Sequence, residues 1–142
     1  MAIFLDTSVI AAYLNIRDSR NRKAQDILER IWENEFGRVV TSDYVVDECY
    51  TLLVSRTGNF KLLGNLFDFI YGNSAKKIVK FIDFQHMTPE LYDFTWKLYE
   101  KFQAPELSFT DLSILAMASK LGIEYLASFD GDFDGKMNRI CQ

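Results

Sequence analysis

The stretch Ala2-Ile3-Phe4-Leu5-Asp6-Thr7-Ser8 decides the fold class of this chain of 142 residues. Its first four residues are apolar without a break, which is typical of a β-strand that is buried on both faces of a parallel sheet. Asp6 ends the apolar run, and Ser8 is placed where it can cap a following helix. The opening of the chain therefore predicts a buried strand and then a helix, with an acidic residue at the junction between them.

The rest of the chain alternates helices and short strands in the same way. We expect helices over 19–34, 44–56, 59–71, 88–102 and 108–121, and strands over 39–41, 77–84, 124–128 and 139–141. The segment 44–56 has apolar residues throughout and predicts a largely buried helix. Strands that alternate with helices predict right-handed crossovers and a parallel sheet. Because no linker, repeat or low-complexity segment interrupts the chain, we expect one α/β domain over residues 1–142.

Composition excludes several classes of protein. A hydrophobic content of 49% and a charged content of 25% are ordinary for a globular domain. No apolar run approaches the roughly 20 residues needed to span a bilayer, and the start of the chain lacks the basic and apolar regions of a signal peptide. Cys49 and Cys141 lie far apart, and with the single histidine, His86, they form no zinc site of the usual spacing. We therefore expect a cytoplasmic protein with reduced thiols and no membrane segment.

Four acidic residues occupy positions that favour a shared site. Asp6 and Asp130 follow buried strands, Asp111 lies in the first turn of the helix that precedes the last buried strand, and Glu48 lies within an apolar helix. Ligands of parallel α/β sheets gather beyond the carboxyl ends of the strands. Carboxylate oxygens are suited to Mg²⁺ or Mn²⁺, and a buried acid is costly without such a partner. The pattern predicts a site for a divalent cation.

Each acid taken alone also has an ordinary structural interpretation. Asp6 can cap a helix, and Asp111 stands three residues after Ser108, as in a capping box. Asp130 can belong to a common turn, and Glu48 can extend its carboxylate to solvent along a buried stem. The prediction of a metal site therefore depends on the four positions together.

Four motifs, in order and spread over nearly the whole chain, resemble those of PIN domains, the nuclease fold of VapC-type toxins. They are Phe4–Ile10, Val45–Glu48, Leu107–Ile114 and Leu126–Phe133. The resemblance implies a three-layer α/β/α sandwich with a central parallel sheet of four to five strands. It also implies a metal-dependent endoribonuclease that cleaves single-stranded RNA and leaves a 5′-phosphate.

The resemblance also implies which residues form the site. Those expected to be catalytic and to bind one or two Mg²⁺ or Mn²⁺ ions are Asp6, Glu48, Asp111 and Asp130. Asp132 is expected to be an additional or substitute metal ligand, and Ser8 and Thr110 are expected to be polar supports near the acids. Ser128 stands where Thr is common in the family, which leaves the acids themselves unchanged.

Two other interpretations of the acids are disfavoured. The segment Asp130–Gly135 imitates the start of a calcium-binding EF-hand loop, but its twelfth position would be Cys141, where a bidentate Glu is required. Asp6 could instead be a phosphoacceptor, yet phosphatases of the haloacid type would have a second Asp where Ser8 stands. His86 is expected to be structural or exposed rather than a general base.

The partners are less well determined by the sequence. A net charge of −4 is unusual for a protein that binds RNA, so cations or local basic residues must attract the phosphates. The basic residues that could contribute are Arg17, Arg20, Arg22, Lys23, Arg56 and Lys61. The bulky apolar set Phe60, Leu63, Phe67, Phe69 and Tyr71 is expected to pack in the core, with a homodimer contact or an antitoxin groove as the alternative. A toxin with an antitoxin, a solitary RNA-processing nuclease and a catalytically inactive PIN-like binding or assembly module all stay open.

Overall fold

Five strands form one central sheet, in the order β3-β2-β1-β4-β5, and every neighbouring pair is parallel. The computed structural model describes all residues from 1 to 142. The strands are β1 (Ala2–Leu5), β2 (Arg38–Ser42), β3 (Ile82–Gln85), β4 (Tyr125–Ala127) and β5 (Asn138–Ile140). The predicted parallel α/β fold is therefore confirmed, with five strands in the sheet.

Six helices connect and cover these strands. They are α1 (Thr7–Leu14), α2 (Asn21–Trp32), α3 (Asp43–Thr57), α4 (Phe60–Tyr71), α5 (Pro89–Phe102) and α6 (Phe109–Leu121), with 3-10 turns at Ser74–Lys76 and Gly131–Phe133. Because parallel strands need crossover connections, the helices lie on the two faces of the sheet and give the three layers that we expected. None of the helices combines the length and apolar character needed to cross a bilayer.

The apolar run that opens the chain becomes the middle strand of the sheet. Ile3, Phe4 and Leu5 are fully buried, because β2 and β4 flank β1 and helices cover both faces. Burial of each such side chain contributes roughly 1.5–3 kcal/mol to stability. The central position of β1 places the residue that follows it, Asp6, at the middle of the carboxyl edge of the sheet.

Helix α1 begins at Thr7, two residues earlier than it would if Ser8 were its N-cap. Asp6 is the N-cap of α1, and its carboxylate accepts a hydrogen bond of 2.7 Å from the backbone N–H of Thr7. The prediction that Ser8 caps this helix is therefore wrong. Its hydroxyl contacts the end of β4 instead, as described below.

The predicted strand over 77–84 is largely wrong. The observed strand β3 begins at Ile82, and the residues before it reverse the chain. Asn73 and Ile78 form an antiparallel bridge around a tight loop in which Lys77 adopts a left-handed conformation (φ 57°). The alternation of apolar and polar residues was misleading because Val79 is exposed to solvent.

Two predictions of helix burial need correction. Helix α3 is buried only along Val45, Cys49 and Leu53, which share one face at intervals of four residues, so it is not largely buried. In the bulky apolar set of α4, Phe69 is buried, whereas Phe67 is 62% exposed. The default expectation of core packing is therefore wrong for most of that set, which includes the exposed Phe60 and Tyr71.

Candidate active site

The ends of β1 and β4 place Asp6 beside Ser128 at the carboxyl edge of the sheet. Leu5 pairs with Ala127 in the parallel ladder, and the N–H of Asp6 donates to the carbonyl oxygen of Ala127 at 3.0 Å. The residues after these strand ends are therefore neighbours, although 122 positions separate them in sequence. The hydroxyl of Ser128 donates a hydrogen bond of 2.6 Å to Oδ2 of Asp6.

Two serine hydroxyls connect Asp6 to the segment that carries Asp130. The Ser8 hydroxyl donates to Oδ2 of Asp6 at 3.3 Å and accepts from the N–H of Phe129 at 2.9 Å. The Ser128 hydroxyl accepts from the N–H of Asp130 at 3.0 Å. The contacts of Ser8 agree with a supporting role. The role of Ser128 was missed, although a serine two residues before an aspartate at a strand end is a common local turn that could have indicated it.

Burial controls the protonation of Asp6. Only 3% of this residue is exposed, and burial raises the pKa of its carboxyl from 3.8 to about 6. The hydrogen bonds from Ser128 and Thr7 lower this pKa, whereas the nearby charges of Asp111 and Glu48 raise it. A cation at this edge would therefore favour the ionised form of a carboxyl that burial disfavours.

The position of Glu48 follows from the end of β2. Ser42 ends that strand beside β1 and caps α3, accepting a hydrogen bond from the N–H of Val45 at 3.3 Å. The hydroxyl of Thr7 lies 3.4 Å from the carbonyl oxygen of Val45, so α1 and α3 are joined at this edge. Glu48 follows in the second turn of α3 and is half-buried.

The charge of Glu48 affects the pKa values of three neighbouring residues, Asp6, Asp111 and Cys49. Its charge contributes to the raised pKa of the carboxyl groups of Asp6 and Asp111. Burial, and then the charges of Glu48 and Asp6, raise the pKa of the Cys49 thiol to about 12. Cys49 is fully buried in the core, and its raised pKa favours the neutral thiol over the thiolate that a metal would bind. Carboxylate oxygens are the ligands that this site can supply.

Asp111 has both of the roles that the sequence left open. Its Oδ2 accepts from the N–H of Ser108 at 2.9 Å while its own N–H donates to the Ser108 hydroxyl at 3.1 Å, so the capping box is formed. Asp111 is also nearly buried, and burial, together with the charges of Glu48 and Asp130, raises the pKa of its carboxyl. The cap therefore holds this carboxylate within the field of the other acids.

Asp130 lies on a turn that is fixed at both ends. Its Oδ1 accepts from the N–H of Asp132 at 2.9 Å, and Phe133 is fully buried at the end of the 3-10 turn. Arg139 donates to the carbonyl oxygen of Ser128 at 3.2 Å and binds both carboxylate oxygens of Asp134, at 2.6 and 3.0 Å. Strand β5 follows this turn, where an EF-hand would have a helix.

The remaining predicted residues lie further from the cluster. Asp132 is exposed, and the charge of Asp130 is the main cause of its raised pKa. Thr110 precedes Asp111, and its carbonyl oxygen accepts from Ser113; its side chain makes no hydrogen bond to an acid. His86 packs edge-on against the ring of Phe84 and is exposed.

Electrostatic effects link the four principal acids in pairs. The charges of Glu48 and Asp111 raise the pKa of Asp6, and the charges of Glu48 and Asp130 raise the pKa of Asp111. In the side-chain positions of the structure, no three acidic, histidine or cysteine side chains stand close enough to hold one ion together. The donor set is nevertheless made only of oxygen, which fits Mg²⁺ or Mn²⁺ and not a zinc site.

The PIN domain family model matches residues 3–136, which include all six helices and strands β1 to β4 apart from Ala2, and which end before β5. The chain belongs to the PIN domain family. Among curated relatives of this PIN domain, the 23S rRNA-specific endonuclease VapC20 of Mycobacterium tuberculosis is 31% identical over 131 residues, which cover 92% of this chain and 91% of the relative.

Solved structures agree with this membership. The crystal structure of Mycobacterium tuberculosis VapC20, described as a sarcin-ricin loop cleaving toxin, is 30% identical, covers 92% of each chain and superimposes with a TM-score of 0.72. FitAcB from Neisseria gonorrhoeae is 23% identical with a TM-score of 0.56, over 97% of this chain and 96% of that one, and shows similarity of fold alone.

A concave surface of this PIN domain lies away from the acids. It has a volume of about 650 Å³ and is formed by α5, α6 and the segment that leads into β5. Glu124, which directly precedes β4, belongs to its lining, whereas Asp6 and Asp130 follow the opposite ends of β1 and β4. The candidate site therefore lies at the carboxyl ends of the strands and outside this concave surface.

Proposed function

We propose that this PIN domain is a metal-dependent endoribonuclease that cleaves single-stranded RNA, and that it is the toxin of a toxin–antitoxin pair. Family membership and 31% identity to a 23S rRNA-specific endonuclease support the nuclease class. The observation that supports the proposal is the pairwise electrostatic coupling of Asp6 with Glu48 and Asp111, and of Asp111 with Glu48 and Asp130, in a PIN domain. The raised pKa values of Asp6 and Asp111, caused first by burial and then by neighbouring acids, are typical of a functional site and would bring no benefit to a binding module.

Each acid has a proposed part in this site. Asp6, Glu48, Asp111 and Asp130 hold Mg²⁺ or Mn²⁺ and are the catalytic residues, and Asp132 is a peripheral ligand. The chemistry that such an ion supplies when bound is activation of water and stabilisation of the leaving oxygen of a phosphodiester. Ser8 and Ser128 orient the Asp6 carboxylate, and Thr110 is the residue that directly precedes Asp111 in the first turn of α6.

The proposal is tested by cleavage of a labelled single-stranded RNA in buffers with Mg²⁺, Mn²⁺ or EDTA. We expect cleavage with either metal, none in EDTA, and loss of cleavage in the Asp6→Asn variant with the fold intact. Asp26→Asn is the matched control, because Asp26 is paired with Arg22 on the exposed face of α2. Equal cleavage by wild type and Asp6→Asn would refute the assignment. Ribosomal RNA is the natural longer substrate to try, given the name of the relative.

A partner protein is part of the proposal. As a toxin, the chain would act in the cytoplasm and be inhibited by an antitoxin encoded next to it. We propose that the exposed aromatic face of α4, formed by Phe60, Phe67 and Tyr71, is the contact of a homodimer, because large apolar side chains are rarely left so exposed. Sedimentation of wild type and Phe67→Asp tests the dimer. Co-purification with the product of an adjoining small gene, and inhibition by it, distinguishes a toxin from a solitary RNA-processing nuclease.

A further inference from the structure

The guanidinium group of Arg20 lies on an aromatic ring beside the acids. Its central carbon is 5.0 Å from the centroid of the Phe129 ring, in a cation–π arrangement. Phe129 directly precedes Asp130, and its N–H is bound to the hydroxyl of Ser8. The backbone that carries Phe129 is therefore fixed to the same serine that contacts Asp6. Arg20 thus brings a positive charge to the border of the acidic site.

The loop before α2 holds Arg20 in place. The Asn21 side chain donates to the carbonyl oxygens of Ala12 and Tyr13 at 2.8 and 3.0 Å, which ties the loop to the end of α1. Oδ1 of Asp18 accepts from the backbone N–H of Arg20 at 2.8 Å and from its side-chain Nε at 3.5 Å. The two terminal nitrogens of this guanidinium have no partner within the protein, and 38% of the side chain is exposed.

A second arginine makes this border positive. Nη1 of Arg56, at the end of α3, lies 3.9 Å from Oδ2 of Asp18, whose side chain is only 9% exposed. One carboxylate therefore lies between two guanidinium groups, which leaves one positive charge in excess. Through the contact of Arg20 with the Phe129 ring, this pair adds local positive charge next to Phe129 in a chain whose net charge is −4. Arg22, only two residues along, is instead neutralised by Asp26 at 3.1 Å.

We infer that Arg20 binds a phosphate of the single-stranded RNA next to the phosphodiester that is cleaved, with Arg56 adding to the positive charge. A guanidinium that is stacked on a ring and held at Nε presents its terminal N–H groups as a planar fork, which matches the oxygens of a phosphate. This inference rests on the proposed nuclease function. It explains how an acidic protein could hold RNA outside the reach of its metal ions.

The test compares Arg20→Gln and Arg20→Lys with the control Arg22→Gln, which removes an arginine from the same turn of the chain. Binding of a fluorescent single-stranded 12-mer RNA is measured in EDTA at several salt concentrations, and kcat and KM are measured with Mn²⁺. Arg20→Gln should weaken binding and raise KM about tenfold. It should also lower the slope of log K against log salt by about 0.7, the value for one phosphate contact with a single strand. Arg20→Lys should keep the slope and lose part of the affinity.

The outcomes separate this inference from the function on which it rests. Phosphate binding is supported if Arg20→Gln has a higher KM, an unchanged kcat and a smaller salt slope, and the control Arg22→Gln does not. If wild type cleaves RNA but Arg20→Gln matches Arg22→Gln in KM and salt slope, the inference is overturned and the nuclease function stands. If Arg20→Gln and Arg20→Lys both lose kcat with an unchanged salt slope, Arg20 is a structural residue of the loop, which also overturns it. If wild type neither binds nor cleaves RNA, the proposed function itself fails.

Discussion

The hydroxyl of Ser128 donates a hydrogen bond of 2.6 Å to Oδ2 of Asp6, across two strands that come from opposite parts of the sequence. This bond opposes burial, which otherwise raises the pKa of the Asp6 carboxyl. Ser128 also accepts from the N–H of Asp130, so one hydroxyl orients two of the four acids. The orientation of these two acids therefore depends on Ser128, which is not itself proposed as a metal ligand.

Removal of this hydroxyl should destabilise the metal-free protein against unfolding, and by more at high pH than at low pH. In Ser128→Ala the pKa of Asp6 should rise above about 6, because the ionised carboxylate loses a donor. At pH 5 Asp6 is largely protonated in the native state, so the variant should lose little free energy of unfolding. At pH 8 we expect a loss of about 1–3 kcal/mol. Urea unfolding in EDTA at both pH values measures this. Ser128→Thr is the control, and an equal loss for Ser128→Ala at the two pH values would contradict the assigned role.

Replacement of Asp6 should stabilise the metal-free protein at neutral pH. The pKa of Asp6 is raised from 3.8 to about 6 on folding, so the native state binds more protons than the unfolded state in this range. The contribution of Asp6 to the free energy of unfolding is therefore fully present below pH 4 and is lost as the pH rises through about 6. The total loss is roughly 3 kcal/mol. The difference in unfolding free energy between Asp6→Asn and wild type should grow in favour of the variant between pH 4 and 7. A difference that does not change with pH would show that Asp6 is not desolvated.

Mn²⁺ should raise the melting temperature of the wild-type protein, because it binds the native state and not the unfolded chain. A ligand at 100 times its Kd contributes about 2.7 kcal/mol to stability. Asp6→Asn and Glu48→Gln should lose most of this shift, whereas Asp26→Asn should keep it because Asp26 is paired with Arg22. Differential scanning calorimetry with and without Mn²⁺ gives the result. Equal shifts in all four proteins would mean that the ion binds elsewhere.

Loss of Arg139 should reduce metal affinity without removing a ligand. This side chain binds the carbonyl oxygen of Ser128 and the carboxylate of Asp134, so it holds the turn of Asp130 against the end of β4. Arg139→Gln should weaken Mn²⁺ binding about tenfold, as is typical when an outer contact of a metal site is removed. Isothermal titration measures the affinity, with Arg30→Gln as the control because its partner Glu35 is exposed. Unchanged affinity would indicate that the turn keeps its shape without Arg139.

The sequence was informative where a residue's position follows from strand order. The apolar run before Asp6 predicted a buried strand, and parallel pairing with β4 then brings its end beside Ser128 and close to Asp130. The family resemblance is confirmed by the match over residues 3–136. The roles of the individual acids stay predictions.

The errors arose where tertiary contacts override local pattern. Ser8 has the preferred chemistry of an N-cap, but Asp6 takes that position because its carboxylate reaches the N–H of Thr7. The alternation over 77–84 imitates a strand, yet the bridge between Asn73 and Ile78 turns the chain there. Hydrogen bonds between side chains distant in sequence, such as that of Ser128, have no signature in local periodicity and require the sheet register to be known.

The position of β4 as a late strand bears on when the nuclease could become active. Asp6 emerges from the ribosome first, but Ser128 and Asp130 follow β4 and are made only after every helix of the domain. A nascent chain that stops at Gly122 therefore lacks the two residues that complete the arrangement around Asp6. The proposed active site would therefore be completed only when the end of β4 and the turn after it have been synthesised.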